Sequence, residues 1–344
     1  MDIYGLVCPV TKRPLTQISN GLLSTEDGLV GYPIHDQFPI LLGPEAITER
    51  PLWPRDLQAP QYAEAYKEME FYNEAGREQA RQITSIASLE MHSSHGIRHL
   101  AVLSKLTAAE RSSFPYPSNV WLYSAIDVAA ERDCYRHIGS VMGKRVMQIG
   151  GSGIFAIMAI LAGAAEAILL TPMEGEAAVA NKIAVLLGFG DRLRCIIGIA
   201  EEIPLQDGYI DACFVGGCVH HMRTEVAFAE ISRVLSPSGK FAAIEPWRAP
   251  GYTIGTKLFG KREANAFCSP LDKPRVAPLF DMFSDAKVIQ HGSLSRYPAI
   301  VALKAGISLP IPKAEWVADI DDTICNCIPF ARKMGSGVAL LATK

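Results

Sequence analysis

Residues Arg145-Val146-Met147-Gln148-Ile149-Gly150-Gly151-Ser152-Gly153-Ile154-Phe155 decide the fold. A short apolar run breaks into three glycines and a serine, and a strongly apolar stretch follows at once. Glycines at such a bend let the backbone turn sharply and pass close to a ligand. The helix that follows would aim unsatisfied N–H groups and the positive end of its dipole at the same spot. From Gly153 to Leu170 the chain is apolar except for Glu166, which imitates a membrane span. The glycine bend before it and the Gly163-Ala164 step within it predict a buried helix leading into a second strand instead.

Working outward, further short apolar runs read as strands at Ala167–Thr171, Leu193–Ile197, Ile210–Val215 and Lys240–Ile244, beside Arg145–Ile149. Helical patterns fill the gaps at Phe155–Ala162, Gly175–Leu187 and Thr224–Leu235. Apolar strands alternating with helices predict an α/β protein with a doubly wound, mostly parallel Rossmann-like sheet covered on both faces.

The flanks read differently. Met1 to Leu42 is a small β-rich head, with turns at Ser19-Asn20-Gly21 and Glu26-Asp27-Gly28. Gly43 to Pro60 holds Pro44, Pro51, Pro54 and Pro60, too many prolines for a helix. Gln61 to Leu106 is helical in pattern, and a further helix is expected over Val120–Ile138. The last zone, Ala249 to Lys344, ends in strand-like runs at Pro298–Leu303 and Val338–Thr343. The domain reading is therefore a head over 1–42, a linker and helical lid over 43–119, and the α/β domain over 120–344 with a substrate-side insertion at about 249–297.

The chain has 344 residues, 33 Lys+Arg against 36 Asp+Glu and 49% hydrophobic residues, enough for about two folded domains. A net charge of −3 gives no general attraction to nucleic acid or an anionic membrane. The eight cysteines form no Cys-x-x-Cys pair, and several sit in apolar runs, the pattern of reduced core thiols. The start, Met1-Asp2-Ile3-Tyr4, lacks a signal-peptide profile, so a cytoplasmic protein without membrane insertion is expected.

The glycine turn has company. The segment Ala200-Glu201-Glu202-Ile203-Pro204-Leu205-Gln206-Asp207-Gly208-Tyr209-Ile210-Asp211 leads into the fourth strand. Glu230-Ile231-Ser232-Arg233-Val234-Leu235-Ser236-Pro237-Ser238-Gly239 leads into the fifth. Together these resemble the class I methyltransferases that use S-adenosylmethionine, in particular their ubiquinone-biosynthesis-like branch. The resemblance implies S-adenosyl-L-methionine as cofactor and transfer of its methyl group to a small-molecule acceptor, natural product or lipid-like. It also implies cofactor contacts from Gln148, Gly150, Gly151, Ser152, Gly153, Thr171, Pro172, Ile199, Ala200, Glu201 and Cys218. Three positions depart from the family pattern. Gln148 stands for an acidic residue, Leu170-Thr171-Pro172 replaces a strand ending in a carboxylate, and Ile199 stands where an Asp often faces adenine. Gln148 still offers a hydrogen-bond acceptor, Thr171 can serve a ribose hydroxyl, and the backbone at Ala200 can hold the base. These departures motivate the alternative: a methyltransferase-like protein that no longer methylates and binds a metabolite or partner, or catalyses another reaction.

The head also carries a resemblance. Leu6-Val7-Cys8-Pro9-Val10-Thr11-Lys12-Arg13-Pro14-Leu15 and Tyr32-Pro33-Ile34-His35-Asp36-Gln37-Phe38-Pro39-Ile40-Leu41-Leu42 resemble a small zinc-ribbon-like domain that activates certain methyltransferases. Of the metal cysteines only Cys8 remains, with Thr11 at the paired position, so no metal is expected.

For the chemistry, His220 and His221 after the fourth strand are candidate general bases, since imidazole titrates near neutrality. Each could equally cap the following helix. Glu245 either orients the histidine or holds backbone N–H groups at the strand end. Tyr123, Trp247 and Arg248 are candidate substrate contacts, Arg248 through a carboxylate or phosphate. His92, His95 and His99 would share one helix face, read as a polar lining rather than a metal site. Asp319, Asp321 and Asp322 read as helix N-terminal charges, and Cys325 and Cys327 as core thiols. The tyrosines at 62, 66 and 72 read as a packing stripe. No nucleic acid partner is expected, and homodimerisation is left open.

Overall fold

The head is a small antiparallel sheet: β1 (Leu15–Ser19), β2 (Leu22–Thr25), β3 (Val30–His35), β4 (Phe38–Pro39) and β5 (Ile47–Thr48). Its turns fall where Asn20-Gly21 and Asp27-Gly28 place them. Here and below, the computed structural model describes residues 3–48, 60–250, 252, 270–307 and 309–344. Most of the proline-rich linker at Gly43–Pro60 and much of the insertion at 249–297 lie outside the described residues.

The helical zone holds α1 (Pro60–Gln82), α2 (Ile86–Glu90), α3 (His95–Leu103), α4 (Ala108–Ser112), α5 (Ser118–Trp121) and α6 (Val128–Ile138). The pattern over Gln61–Leu106 is thus three helices. Ser85 stops the first run by forming a capping box with Ser88 at the start of α2. The helix expected over Val120–Ile138 is also divided. The carboxylate of Glu131 accepts N–H groups of Tyr123 and Ser124, both at 3.0 Å, and holds the chain in a turn between α5 and α6.

The central sheet follows: β6 (Arg145–Ile149), α7 (Ile154–Leu161), β7 (Glu166–Thr171), α8 (Glu174–Leu186), β8 (Leu193–Ile197), β9 (Ile210–Gly216), α9 (Thr224–Val234), β10 (Leu235–Pro246), β11 (Asp285–His291) and β12 (Gly337–Thr343). The strand order is β11-β12-β10-β9-β6-β7-β8. All pairs from β10 to β8 are parallel, and β12 runs antiparallel to both its neighbours.

Strand alternation makes two cores. Val146, Leu169, Phe214 and Leu341 face α6, α7 and α8, and Met147, Leu170, Val215 and Leu340 face α9, the helix Lys273–Met282 and the head. The order of the strands turns back between β6 and β9, so the crevice at their carboxyl ends is where such a sheet binds ligands.

Three expectations for the last zone fail. Pro298–Leu303 is part of a helix, Arg296–Lys304, not a strand. A six-residue apolar run does not distinguish the two by itself, and Pro298 falls in the first turn, where its missing N–H costs nothing. The edge strand β11 went unseen because Asp285, Lys287 and Gln290 hide its pattern; it is half exposed. Asp319, Asp321 and Asp322 lie in the second half of the helix Ile311–Cys327, not at its start. Asp321 nevertheless serves another helix, accepting the N–H groups of Leu294 and Ser295 ahead of Arg296. Of the two nearby thiols, Cys325 is buried and Cys327 exposed.

The head docks on the free edge of β8. Leu41 donates its N–H to the carbonyl of Ile197 at 2.7 Å, and Ile40 pairs with Ile197 in parallel. A second seam joins Val7 N–H to the Pro204 carbonyl at 3.1 Å and Gln206 N–H to the Gly5 carbonyl at 3.0 Å. Lys12 adds an ion pair with Glu230 at 2.7 Å. The head thereby pairs the carboxyl end of this edge strand at Ile197.

Candidate active site

The glycine turn is held by Gln148. Its Oε1 accepts the N–H of Ala156 at 2.9 Å, and its Nε2 donates to the Gly150 carbonyl at 2.8 Å. An amide suits this place because one end must accept and the other donate. Gly150 donates its own N–H to the Leu170 carbonyl, tying the turn to β7. Gly150 and Gly153 both have positive φ, 72° and 76°. A Cβ on Gly150 would collide with Cys218 Sγ, and one on Gly153 would lie 2.6 Å from the Cβ of Ala180. The first glycine keeps the ligand face thin; the second lets α7 pack on α8.

Over this turn lies a cavity of about 230 Å³ at the carboxyl ends of β6 to β9. Gly150, Gly151, Pro172, Ile199, Ala200, Glu201, Cys218 and His221 line it, joined by Met173, Glu176 and Met222. Ala65 and Tyr72 of α1 form its outer wall. Their position follows from a backbone-to-backbone crossing of α1 on the start of α8. A Cβ on Gly76 would sit 2.6 Å from the Gly175 carbonyl carbon, and Asn73 Oδ1 accepts the Gly175 N–H at 3.1 Å. Tyr66 instead bonds Glu45 at 2.7 Å, and the side chain of Tyr62 lies outside the described residues.

Thr171 and Glu176 act as a pair. Thr171 is fully buried and donates its hydroxyl to Glu176 Oε2 at 2.6 Å. The threonine therefore serves the carboxylate, and the carboxylate reaches the cavity. Glu176 supplies from the first turn of α8 the negative group that the end of β7 lacks. Glu201 also borders the cavity, but its Oε1 accepts the Arg223 N–H at 2.8 Å, and burial raises its pKa.

The loop after β9 rests on Glu245. This carboxylate, fully buried in β10, accepts the N–H groups of Cys218 and Val219 at 2.8 and 2.7 Å and meets His220 Nδ1 at 2.8 Å. Arg275, a residue with no signal in the sequence, clasps the same loop from outside through the carbonyls of His220 and Met222. His221 lines the cavity; His220 turns away toward Glu245, with the two rings 4.1 Å apart.

Other candidates lie elsewhere. Gln148, Ser152, Gly153 and Thr171 support the turn without lining the cavity. Trp247 is nearly buried and bonds Ser336 through its backbone, and Arg248 lies 3.8 Å from Asp272; neither borders a described cavity. Tyr123 borders a second cavity. The three imidazoles do not share a helix face. α3 starts at His95, and His92, before it, accepts the Ser94 N–H through Nδ1 at 3.0 Å. His99 is held well below the usual imidazole range, about 4, mainly by burial. In the head, Cys8 Sγ lies 3.3 Å from the Tyr32 hydroxyl and receives the Thr11 N–H. Among the described residues, no helix is long and apolar enough to cross a membrane.

A parallel sheet with one antiparallel strand near its edge and a cavity over a glycine turn is the build of a methyltransferase domain, and residues 148–243 match the methyltransferase domain family. A ubiquinone/menaquinone biosynthesis C-methyltransferase of Methylobacterium nodulans is 34% identical over 98 residues, 28% of this chain and 39% of that protein. A UPF0434 protein of Vesicomyosocius okutanii is 54% identical over 41 residues, 12% of this chain and 68% of that protein. Through that stretch the chain belongs to the UPF0434 family. The geranyl diphosphate C-methyltransferase of Streptomyces coelicolor is similar in structure, with a TM-score of 0.47 and 16% identity over 83% of this chain and 99% of that one. The chain spans less than half the length of the curated methyltransferases it matches.

Proposed function

We propose that the chain is an S-adenosylmethionine-dependent methyltransferase acting on a small molecule in the cytoplasm, without a nucleic acid partner. The observation that carries this reading is the Glu176 carboxylate facing the glycine turn across one cavity. An adenosyl group needs acceptors for its ribose hydroxyls, apolar walls for its base and a turn that lets its amino-acid end come close. Glu176 would supply the first, Pro172, Met173 and Ile199 the second, and Gly150 and Gly151 the third. The residues present therefore fit the cofactor, despite the neutral groups at 148, 171 and 199.

When bound, S-adenosylmethionine supplies a methyl group on a sulfonium, an electrophile that needs no further activation. The protein's part is to orient and to move a proton. His221, which lines the same cavity as Glu176, would take the proton of an O–H or N–H acceptor. Glu245 is a positioning residue: it anchors the loop that carries His221 and engages His220. The division into a head over 1–42, a lid over 43–119 and a catalytic domain over 120–344 belongs to the same reading, with the head acting as a strut for the loop Gly198–Glu201.

Calorimetry with S-adenosylmethionine and S-adenosylhomocysteine tests it. Saturable micromolar binding is expected. No heat at millimolar ligand would favour instead a methyltransferase-like protein that has lost the reaction, the reading motivated by Gln148, whose amide is spent inside the turn.

A further inference from the structure

The helices Arg296–Lys304 and Ile311–Cys327 cover a cavity of about 460 Å³ floored by the starts of α6 and β12. This cover has little apolar anchorage. Arg296–Lys304 buries none of its described residues, and Ile311–Cys327 buries only Ala314, Ala318, Asp321 and Cys325. Charge fastens it instead. Arg132 of α6 meets Asp319 at 2.7 Å, and Asp127, just ahead of α6, meets Arg296 at 2.9 Å.

One buried group stands between body and cover. His291, the last residue of β11, places its Nε2 3.1 Å from Asp133 Oδ2 of α6. Its Nδ1 lies 3.4 Å from Asp322 Oδ1 of the cover, a charge contact without hydrogen-bond alignment. Two carboxylates thus face the two ring nitrogens. A neutral imidazole has one N–H and one lone pair, so it can satisfy only one of them. The imidazolium satisfies both, and in a buried place a charge left unmatched is costly. Burial works against the ring's own charge, yet Asp133 and Asp322 outweigh it and raise the pKa above the ordinary 6.5.

The other charged groups around the ring are already engaged. Arg332, from the short helix Pro329–Arg332, lies 3.1 Å from Asp322, and Arg132 lies 3.8 Å from it. Asp321 accepts the Ser295 hydroxyl at 2.6 Å, and Arg296 is held by Asp127. Burial pushes the Cys325 thiol up, and β12, which pairs with His291 at Gly337, carries no titratable side chain.

We propose that His291 is a proton-operated latch that holds the helical cover shut over its cavity and releases it as pH rises. The ring gives its Nδ1 proton to water or hydroxide and keeps the Nε2 proton on the shorter contact with Asp133. The Nδ1 lone pair then faces the Asp322 carboxylate, and an attraction between body and cover becomes a repulsion. The closed state binds this proton more tightly than the open one. Its stabilisation is therefore complete below pH 6.5 and lost as pH rises through the raised value. The latch stands independently of the methyltransferase reading.

Hydrogen exchange of the whole protein at pH 6 and pH 9, corrected for the intrinsic rate at each, tests it. At the higher pH, peptides from Ile311–Cys327 should lose about tenfold in protection relative to those from β6 to β9, the worth of one pKa unit. His291→Gln cannot take up the charge, and Asp322→Asn removes the carboxylate that the ring meets. Each should abolish the step, and protection of β6 to β9 reports that the variants are folded. Glu131→Gln, which removes another group that titrates in this range, should keep the step. Equal protection of the cover at both pH values overturns the proposal. So does a step that survives in either His291→Gln or Asp322→Asn, or one that vanishes in Glu131→Gln.

Discussion

Thr171 donates its hydroxyl to Glu176 across 2.6 Å, so the carboxylate bordering the cavity over the glycine turn sits on the helix and not at the strand end. The strand-end threonine is fully buried, so it shapes the site through Glu176 and through the Met173 N–H that it accepts at 3.2 Å.

Replacing Glu176 with Ala is expected to weaken S-adenosylhomocysteine by 10- to 100-fold, the worth of roughly 1.5–3 kcal/mol for hydrogen bonds to a charged group. Thr171→Val should cost less, about 1 kcal/mol, because it loosens the carboxylate without removing it. Calorimetric titration of both variants checks the order; a Thr171→Val effect larger than that of Glu176→Ala would reverse the assignment.

Gln148→Glu would restore the acidic residue of the family pattern, yet it should destabilise this protein. The carboxylate keeps the bond from Ala156 N–H but sets an oxygen against the Gly150 carbonyl, where Nε2 now donates. A loss of about 1–3 kcal/mol is expected in urea unfolding. An increase in stability would show that the turn rearranges to welcome the charge.

Much of this was legible beforehand. The strands β6 to β9 and the Lys240–Ile244 part of β10 announce themselves because each is a short apolar run, and Gly150–Gly153 marks the crevice because the turn needs glycine for backbone reasons. Glu176 was hidden, since its role depends on a hydroxyl five residues earlier pulling it over the cavity. Arg275 was hidden for another reason: it acts on carbonyls more than fifty residues away, and no local pattern records such a contact. β11 escaped because an edge strand needs only one apolar face.

His221 and Glu245 should separate by assay. His221→Ala is expected to lower turnover by about 100-fold or more, as for loss of a general base, with the cofactor affinity changed less. Glu245→Ala should act on the fold first, leaving the N–H groups of Cys218 and Val219 without acceptors at about 1–3 kcal/mol each. Hydrogen exchange at those two amides reads this directly, and slow exchange in the variant would contradict it.

Glu131 gives a pH signature. Burial raises its pKa from the ordinary 4.5 to about 8, despite the N–H groups of Tyr123 and Ser124 that favour its charged form. The folded state then holds a proton that the unfolded chain has released, so this group's contribution to stability falls as pH rises from about 4.5 to about 8 and is level above that. Glu131→Gln should remove that slope. Urea midpoints at pH 5 and pH 8.5 provide the check: a slope equally steep in the variant would place its origin elsewhere.

The seam between Leu41 and Ile197 has a consequence for how the molecule survives outside its folded state. Take away the first forty-odd residues and the end of β8 at Ile197 loses its backbone partner, leaving that edge strand open to a passing strand. Such a shortened chain should clump, and the neighbouring bend at Gly198 would lose its outer brace. Head and catalytic body are therefore expected to melt together, as one cooperative unit.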